Sequence, residues 1–196
     1  IMGPYTDYVA QAYQEWYKTQ VCDFPATEDF HTCWLLHIPG LYVRHAPGTI
    51  CMEAIADGAA GSIERPINNS KGCGGVMRVA SVGLYLGSSQ MAGLATDLVA
   101  ADVAALTHGH ELGYIPAAML SHMVRLLSHS TEISLETAVQ DSMEAIRRIF
   151  PQAVHLPKFL EKIQLALQLA KTGGSDLDAI HALGEGWCGD EALAIA

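Results

Sequence analysis

Residues 68–75 read Asn-Asn-Ser-Lys-Gly-Cys-Gly-Gly and open onto an apolar run broken only by Arg78. Gly72, Gly74 and Gly75 allow positive φ angles and a close approach of backbone to a partner. Successive N–H groups in such a loop can turn inward and form an anion-binding concavity. A helix N-terminus just beyond would add partial positive charge. One reading is therefore a backbone cradle for a phosphate or a ribose. The other is a tight helix–helix connection in which glycine only permits close packing. Arg78 is either a charged partner for the ligand or an anchor behind the loop. A P-loop is excluded, because Lys71 precedes the glycines instead of following them.

Cys73, in a glycine loop ahead of a helix, has the setting of an activated thiol, with His108 as a conceivable base. His108 and His110 lie two residues apart, which on a helix points them in different directions. Structural or ligand-contacting roles suit them better than a shared metal ion. Glu185, Asp190 and Glu191 could pair as acid and base, but Asp190 and Glu191 more simply complement a helix dipole in a first turn. Glu53 and Glu64 read as loop-bracing residues. The remaining histidines, His31, His37, His45, His122, His129, His155 and His181, share no spacing and read as surface or satisfied side chains. Cys22, Cys33, Cys51 and Cys188 read as small core residues.

These groups need helices to position them. The first is expected from about Tyr5 to Thr19, with Tyr5, Val9, Tyr13, Ala12 and Trp16 on its buried stripe. A short helix around Trp34 to His37 stops before Pro39-Gly40. Pro47 opens the next helix, which Gly58 and Gly61 end. Ser88 or Ser89 caps a long Ala-rich helix from about Gln90 to Thr107. Pro116 starts a helix to about Ser128, Ser134 caps one to Phe150, and Pro157 begins one to Lys171. Asp176 opens a short helix ending near Gly184, and a last helix begins at Gly189. No strand alternation, repeat or linker is visible, so a single all-α domain over residues 1–196 is expected, a compact multi-helix array.

Length and composition agree with this. The chain has 196 residues, half of them apolar, and a net charge of −10. That is long enough for a core, too apolar for disorder, and offers no basic stripe to a nucleic acid. Five cysteines, an odd number without a C-x-x-C pair, point to a reducing cytoplasmic setting without disulfides or a thiolate zinc site. No run has membrane-span length, and the first residues lack signal-peptide character.

The segments RHAPGTICMEAIADGAAGSIERPINNSKGCGGVMRVASVGL, ADVAALTHGHELGYIPAAML and GEGWCGDEALAIA, in that order, resemble the ADP-ribosylglycohydrolase family. The resemblance implies an all-α fold, with ADP-ribose in a cleft and two magnesium or manganese ions assisting cleavage of an N- or O-glycosidic bond. It implies that Ser70, Gly72, Cys73, Gly74 and Gly75 contact the ligand. It also implies that His108 lies by the diphosphate or distal ribose, and that Trp187 approaches the ligand. Relatives hold their ions with a Thr-Asp-Asp type motif near the N-terminus and an Asp-x-Asp-Thr type motif near the C-terminus. Neither occurs here: Thr6-Asp7 is followed by Tyr8, and Asp176-x-Asp178 by Ala179.

The expectation is thus a family domain truncated at both ends, with no metal ligands of its own and no catalysis by this chain as written. Helices missing from such a domain would leave apolar surface, from which a homodimer or higher homo-oligomer is expected. Three function classes follow: a hydrolase of ADP-ribosyl bonds, a non-catalytic ADP-ribose or nucleotide binder, and an associating structural remnant. Partners of the first two would be ADP-ribose or an ADP-ribosylated substrate.

Overall fold

The computed structural model describes residues 4–26, 33–87 and 93–196, and among these the regular structure is helical. The α-helices are α1 (Tyr5–Val21), α2 (Thr49–Ala56), α3 (Ala80–Gly87), α4 (Gly93–Ala105), α5 (Glu111–His129), α6 (Leu135–Ile149), α7 (Leu156–Thr172), α8 (Asp176–Leu183) and α9 (Gly189–Ile195). Short 3-10 turns occupy Trp34–His37, Pro39–Leu41 and Val76–Arg78. An isolated antiparallel bridge joins Gly72 to Cys188. The all-α expectation holds. Ser88, Ser89, Gln90 and His31 lie outside the described residues.

Helix α5 is the axis on which the others pack: α3, α4, α6, α7 and α9 all lie against it. Its Ile115, Ala117, Ala118 and Met119 are wholly buried. Small residues let its neighbours come close. A Cβ on Gly83 of α3 would sit 2.4 Å from the Ser121 carbonyl oxygen of α5, so only glycine fits that crossing. Helix α4 presents Ala100, Ala101, Ala104 and Ala105, all buried without remainder. Its Leu94 and Leu98 nevertheless face outward.

Helix starts follow side-chain chemistry. The Ser134 hydroxyl accepts from the Thr137 N–H at 3.1 Å and begins α6, and Ser175 does the same for Asp178 at 3.4 Å in α8. Pro157 stands in the first turn of α7, where its missing N–H costs nothing. Helix α2 is shorter than expected. It ends at Ala56, and Gly58 takes φ +100° to carry the chain out.

Three expectations need correction. Of the cysteines read as core residues only Cys51 is buried; Cys22 is exposed, and Cys33 and Cys188 are half-buried. Pro116 does not start α5: the helix begins at Glu111, and the His110 ring nitrogen Nδ1 caps it by accepting from the Leu112 N–H at 3.0 Å. Pro116 is interior, so the Leu112 carbonyl lacks its usual i+4 donor. That carbonyl is where α9 docks, since a Cβ on Gly189 would stand 2.5 Å from it.

The buried stripe of α1 is also rotated. Val9 and Tyr13 pack on the core as expected, but Tyr5 and Trp16 are exposed, and Ala10 and Tyr17 join Val9 and Tyr13 against Ile55, Ala59 and Leu106. Glu15, Thr19 and Gln20 are buried on another side of the same helix.

Candidate functional site

The glycine loop is fixed to two other parts of the chain. On one side it meets the turn between α4 and α5. Asn68 Nδ2 donates to the Thr107 carbonyl at 2.9 Å, and Asn68 Oδ1 accepts from the N–H of Ser70 and of Gly109. The His110 N–H donates to the Ser70 carbonyl at 3.2 Å. On the other side it runs against the segment entering α9. The Cys73 N–H donates to the Trp187 carbonyl at 3.0 Å, and the Gly189 N–H to the Lys71 carbonyl at 2.8 Å. The loop thereby brings Ser70, Gly72, Cys73, Gly74, Gly75, His108 and Trp187 to one place.

Within the loop, the glycines are required by contact and not by backbone angle. None of Gly72, Gly74 and Gly75 is in the positive-φ region, and Gly75 has φ −65° and ψ −47°. The imidazole of His108 fills the underside of the loop. A Cβ on Gly72 would lie 3.3 Å from His108 Nε2. On Gly74 it would lie 2.9 Å from Cys51 Sγ and 3.0 Å from His108 Cε1, and on Gly75 2.8 Å from the Gly113 carbonyl oxygen.

The N–H groups are only partly free. Gly72 donates to Ser70 Oγ at 3.3 Å and Cys73 to Trp187, which leaves Gly74 and Gly75 without an acceptor among the described residues. The 3-10 turn Val76–Arg78 separates the loop from α3, so no α-helix N-terminus follows it directly.

Arg78 anchors the loop from behind. Its Nε donates to the Gly74 carbonyl at 2.7 Å and its Nη2 to Thr107 Oγ1, while its guanidinium carbon stands 4.6 Å over the Tyr13 ring. Thr107 Oγ1 in turn lies 2.8 Å from His108 Nδ1. Burial, with the neighbouring Arg78 charge, pushes the His108 pKa down to about 4, so the ring is neutral near pH 7. No hydrogen bond joins Cys73 to His108. The Cys73 thiol sits by Met77 Sδ at 3.9 Å, and the conceivable thiol–imidazole pair is not formed.

On the outer side, Trp187 is 78 % exposed and Met77 74 % exposed, flanking the loop with apolar surface. Behind Trp187, the N-terminus of α9 carries Asp190. Its carboxylate is buried and paired with Lys162 of α7 at 2.6 Å, with Glu191 at 3.8 Å from the same ammonium. The dipole role expected for Asp190 is thus joined by an ion pair. Glu111 accepts from the backbone N–H of Val154 and His155, and His155 Nδ1 bonds it at 2.8 Å. Glu111 is held below the usual glutamate value: burial would raise it, but its hydrogen bonds to His155 and Val154 outweigh burial. His108 enters the loop while His110 caps α5, so the two serve different ends.

Farther off, His122 is buried between Asp97 (2.6 Å) and Asp141 (2.9 Å). A cavity of about 400 Å³ between α1 and residues 33–47 shares no residue with the loop. Among the described residues no three His, Cys, Asp or Glu side chains converge as a metal site. Asp176 and Asp178 stand exposed in the first turn of α8. The described residues do not fit the two ions that the resemblance implies.

A family model described as ADP-ribosylglycohydrolase matches residues 3–196. The chain belongs to the ADP-ribosylglycohydrolase family. No curated protein and no solved structure matches it.

Sequence reading named the loop and His108 and offered Arg78 as an anchor behind the loop, which it is, but missed the other parts that hold them. Asn68 had a signal: an Asn two residues before Ser70 can accept its N–H in a local turn, as it does. Arg78 was visible as the one charge in an apolar run. Cys51 and Lys162 had no local signal, because their partners lie far along the chain, and nothing local pointed to the distant Arg78 as a partner of Thr107.

Proposed function

We propose that this chain binds ADP-ribose over the loop 70–75, as the ligand-holding part of a site that acts on ADP-ribosyl glycosidic bonds. Family membership supports the reaction class. The observation that carries the binding reading is a set of unspent donors in one loop. The N–H groups of Gly74 and Gly75 have no acceptor among the described residues, His108 Nε2 stands next to the volume left bare at Gly72 and Gly74, and the loop bonds the backbone of Trp187, whose side chain is exposed. A diphosphate wants several convergent N–H donors, and an adenine or ribose face wants a flat apolar neighbour.

The test is calorimetric titration of the protein with ADP-ribose. Saturable binding is expected, and Trp187→Ala, which removes an exposed side chain without disturbing the core, is expected to weaken it roughly tenfold. Absence of binding heat and of any thermal stabilisation by millimolar ADP-ribose would reject the reading. Magnesium-dependent release of ADP-ribose from an ADP-ribosylated protein distinguishes a hydrolase from a binder.

A further inference from the structure

The proton positions around His108 can be counted. Arginine only donates, so Thr107 Oγ1 accepts from Arg78 Nη2 and keeps its own proton to give. Two acceptors compete for that proton: the Ala104 carbonyl at 3.4 Å and His108 Nδ1 at 2.8 Å. The Ala104 carbonyl already accepts the N–H of Thr107 at 3.2 Å and of His108 at 3.0 Å, which fills its two lone pairs. The shorter contact to Nδ1 therefore takes the hydroxyl proton. Nδ1 accepts, and the ring proton sits on Nε2.

That nitrogen has no hydrogen-bond partner among the described residues. The volume that a side chain on Gly72 or Gly74 would occupy is the volume next to Nε2, at 3.3 and 3.2 Å.

We propose that Arg78 and Thr107 form a positioning relay that holds His108 as the Nε2–H tautomer, so that this N–H donates to an anionic oxygen of a ligand lodged over Gly72 and Gly74. The proposal rests on the ADP-ribose reading for the identity of that oxygen, a diphosphate oxygen, and on the geometry alone for the tautomer. Arg78 has two tasks in it. It holds the Gly74 carbonyl, which keeps the loop over the ring, and it claims the Thr107 lone pair, which turns the hydroxyl proton toward Nδ1. Glycine at positions 72 and 74 is then needed to leave Nε2 approachable as well as to clear the ring.

The experiment is nitrogen NMR of the histidine rings in the ¹⁵N-labelled protein. The His108 signals are assigned as those lost in His108→Gln. Expected in the native protein is a protonated Nε2 and an unprotonated Nδ1. Thr107→Val keeps the shape and removes the hydroxyl. It is expected to lose the single-tautomer signature and to weaken ADP-ribose binding roughly tenfold, the loss of one hydrogen bond to a charged oxygen. Thr107→Ser is expected to restore both.

A proton on Nδ1 in the native protein, or an unchanged Nε2–H tautomer in folded Thr107→Val, overturns the relay. Were Thr107→Val not to fold, the native tautomer decides. The spectra need no ligand. The expected tautomer in a protein that fails to bind ADP-ribose would support the relay and overturn the choice of ligand.

Discussion

Acid should loosen this fold through His108, and the loss can be worked from its surroundings. The ring is 2 % exposed and its pKa is lowered from 6.5 to about 4, by burial first and by Arg78 second. A histidine with a depressed folded value binds its proton more readily when unfolded. Stability from this source is therefore whole above the unfolded value and is lost as pH falls through the window between the two.

At about pH 5 an unfolded His108 is almost fully protonated and the folded one almost fully neutral, which amounts to a loss of about 2 kcal/mol. Below about pH 4 the loss levels off near ~3 kcal/mol. The assay is urea unfolding at about pH 7.5 and pH 5, for the native chain and for His108→Gln, with the urea slope checked for constancy. Subtracting one pH difference from the other removes the carboxylates and the other histidines, which are common to both proteins. A native chain that loses no more than His108→Gln does, within about 0.5 kcal/mol, would refute the assignment of a desolvated neutral ring.

His122 works the other way. Burial opposes its proton, but the carboxylates of Asp97 and Asp141 outweigh burial and raise its pKa, so its contribution is whole in acid and fades as pH rises through the folded value. His122→Gln should flatten the decline in melting temperature from pH 6 to pH 8. Among the loop glycines, Gly75→Ala should destabilise most, by about 1–3 kcal/mol, because its Cβ meets the Gly113 carbonyl and not a movable side chain. Gly72→Ala, facing only the His108 ring and Ser70 Oγ, should cost less, and urea midpoints order the two. Lys162→Met should cost about 3 kcal/mol by leaving the buried Asp190 carboxylate uncompensated, and Asp190→Asn in the same background should recover part of it.

How much of this was readable in the sequence differs by element, for physical reasons. Helices α6, α7 and α8 were placed almost to the residue, because Ser134, Pro157 and Ser175 act locally on the first turn that follows them. The start of α5 was misplaced because proline in a first turn and proline in an interior look alike locally. The His110 cap at the true start and the docking of Gly189 on the freed Leu112 carbonyl distinguish them. The face of α1 was right in part: Val9 and Tyr13 pack on the core, Tyr13 also lying under Arg78, but the aromatic Tyr5 and Trp16, taken for the same stripe, face outward. The two readings of the glycine loop could not be separated from the glycines alone. The packing partners that decide, Cys51 and His108, come from segments on either side of it in the sequence.

Under the proposed function the two readings, cradle and tight connection, are parts of one design. The loop's backbone is spent mainly on holding itself: Cys73 on Trp187, Gly72 on Ser70, and the carbonyls of Lys71 and Gly74 on Gly189 and Arg78. A loop pinned from both sides loses little further freedom when a ligand arrives, and that lowers the entropic cost of binding. The consequence is a small set of donors. Under the proposed function, recognition of a diphosphate runs on the N–H groups of Gly74 and Gly75 and on one imidazole N–H, not on a full ring of backbone amides.

That makes the orientation of His108 decisive. With a wide nest of amides, one misdirected proton would matter little. With this few, a ring turned to place its lone pair outward would replace attraction by repulsion at a phosphate oxygen. The half-buried Arg78 charge, the Thr107 hydroxyl and the bare positions 72 and 74 are then requirements of the same contact.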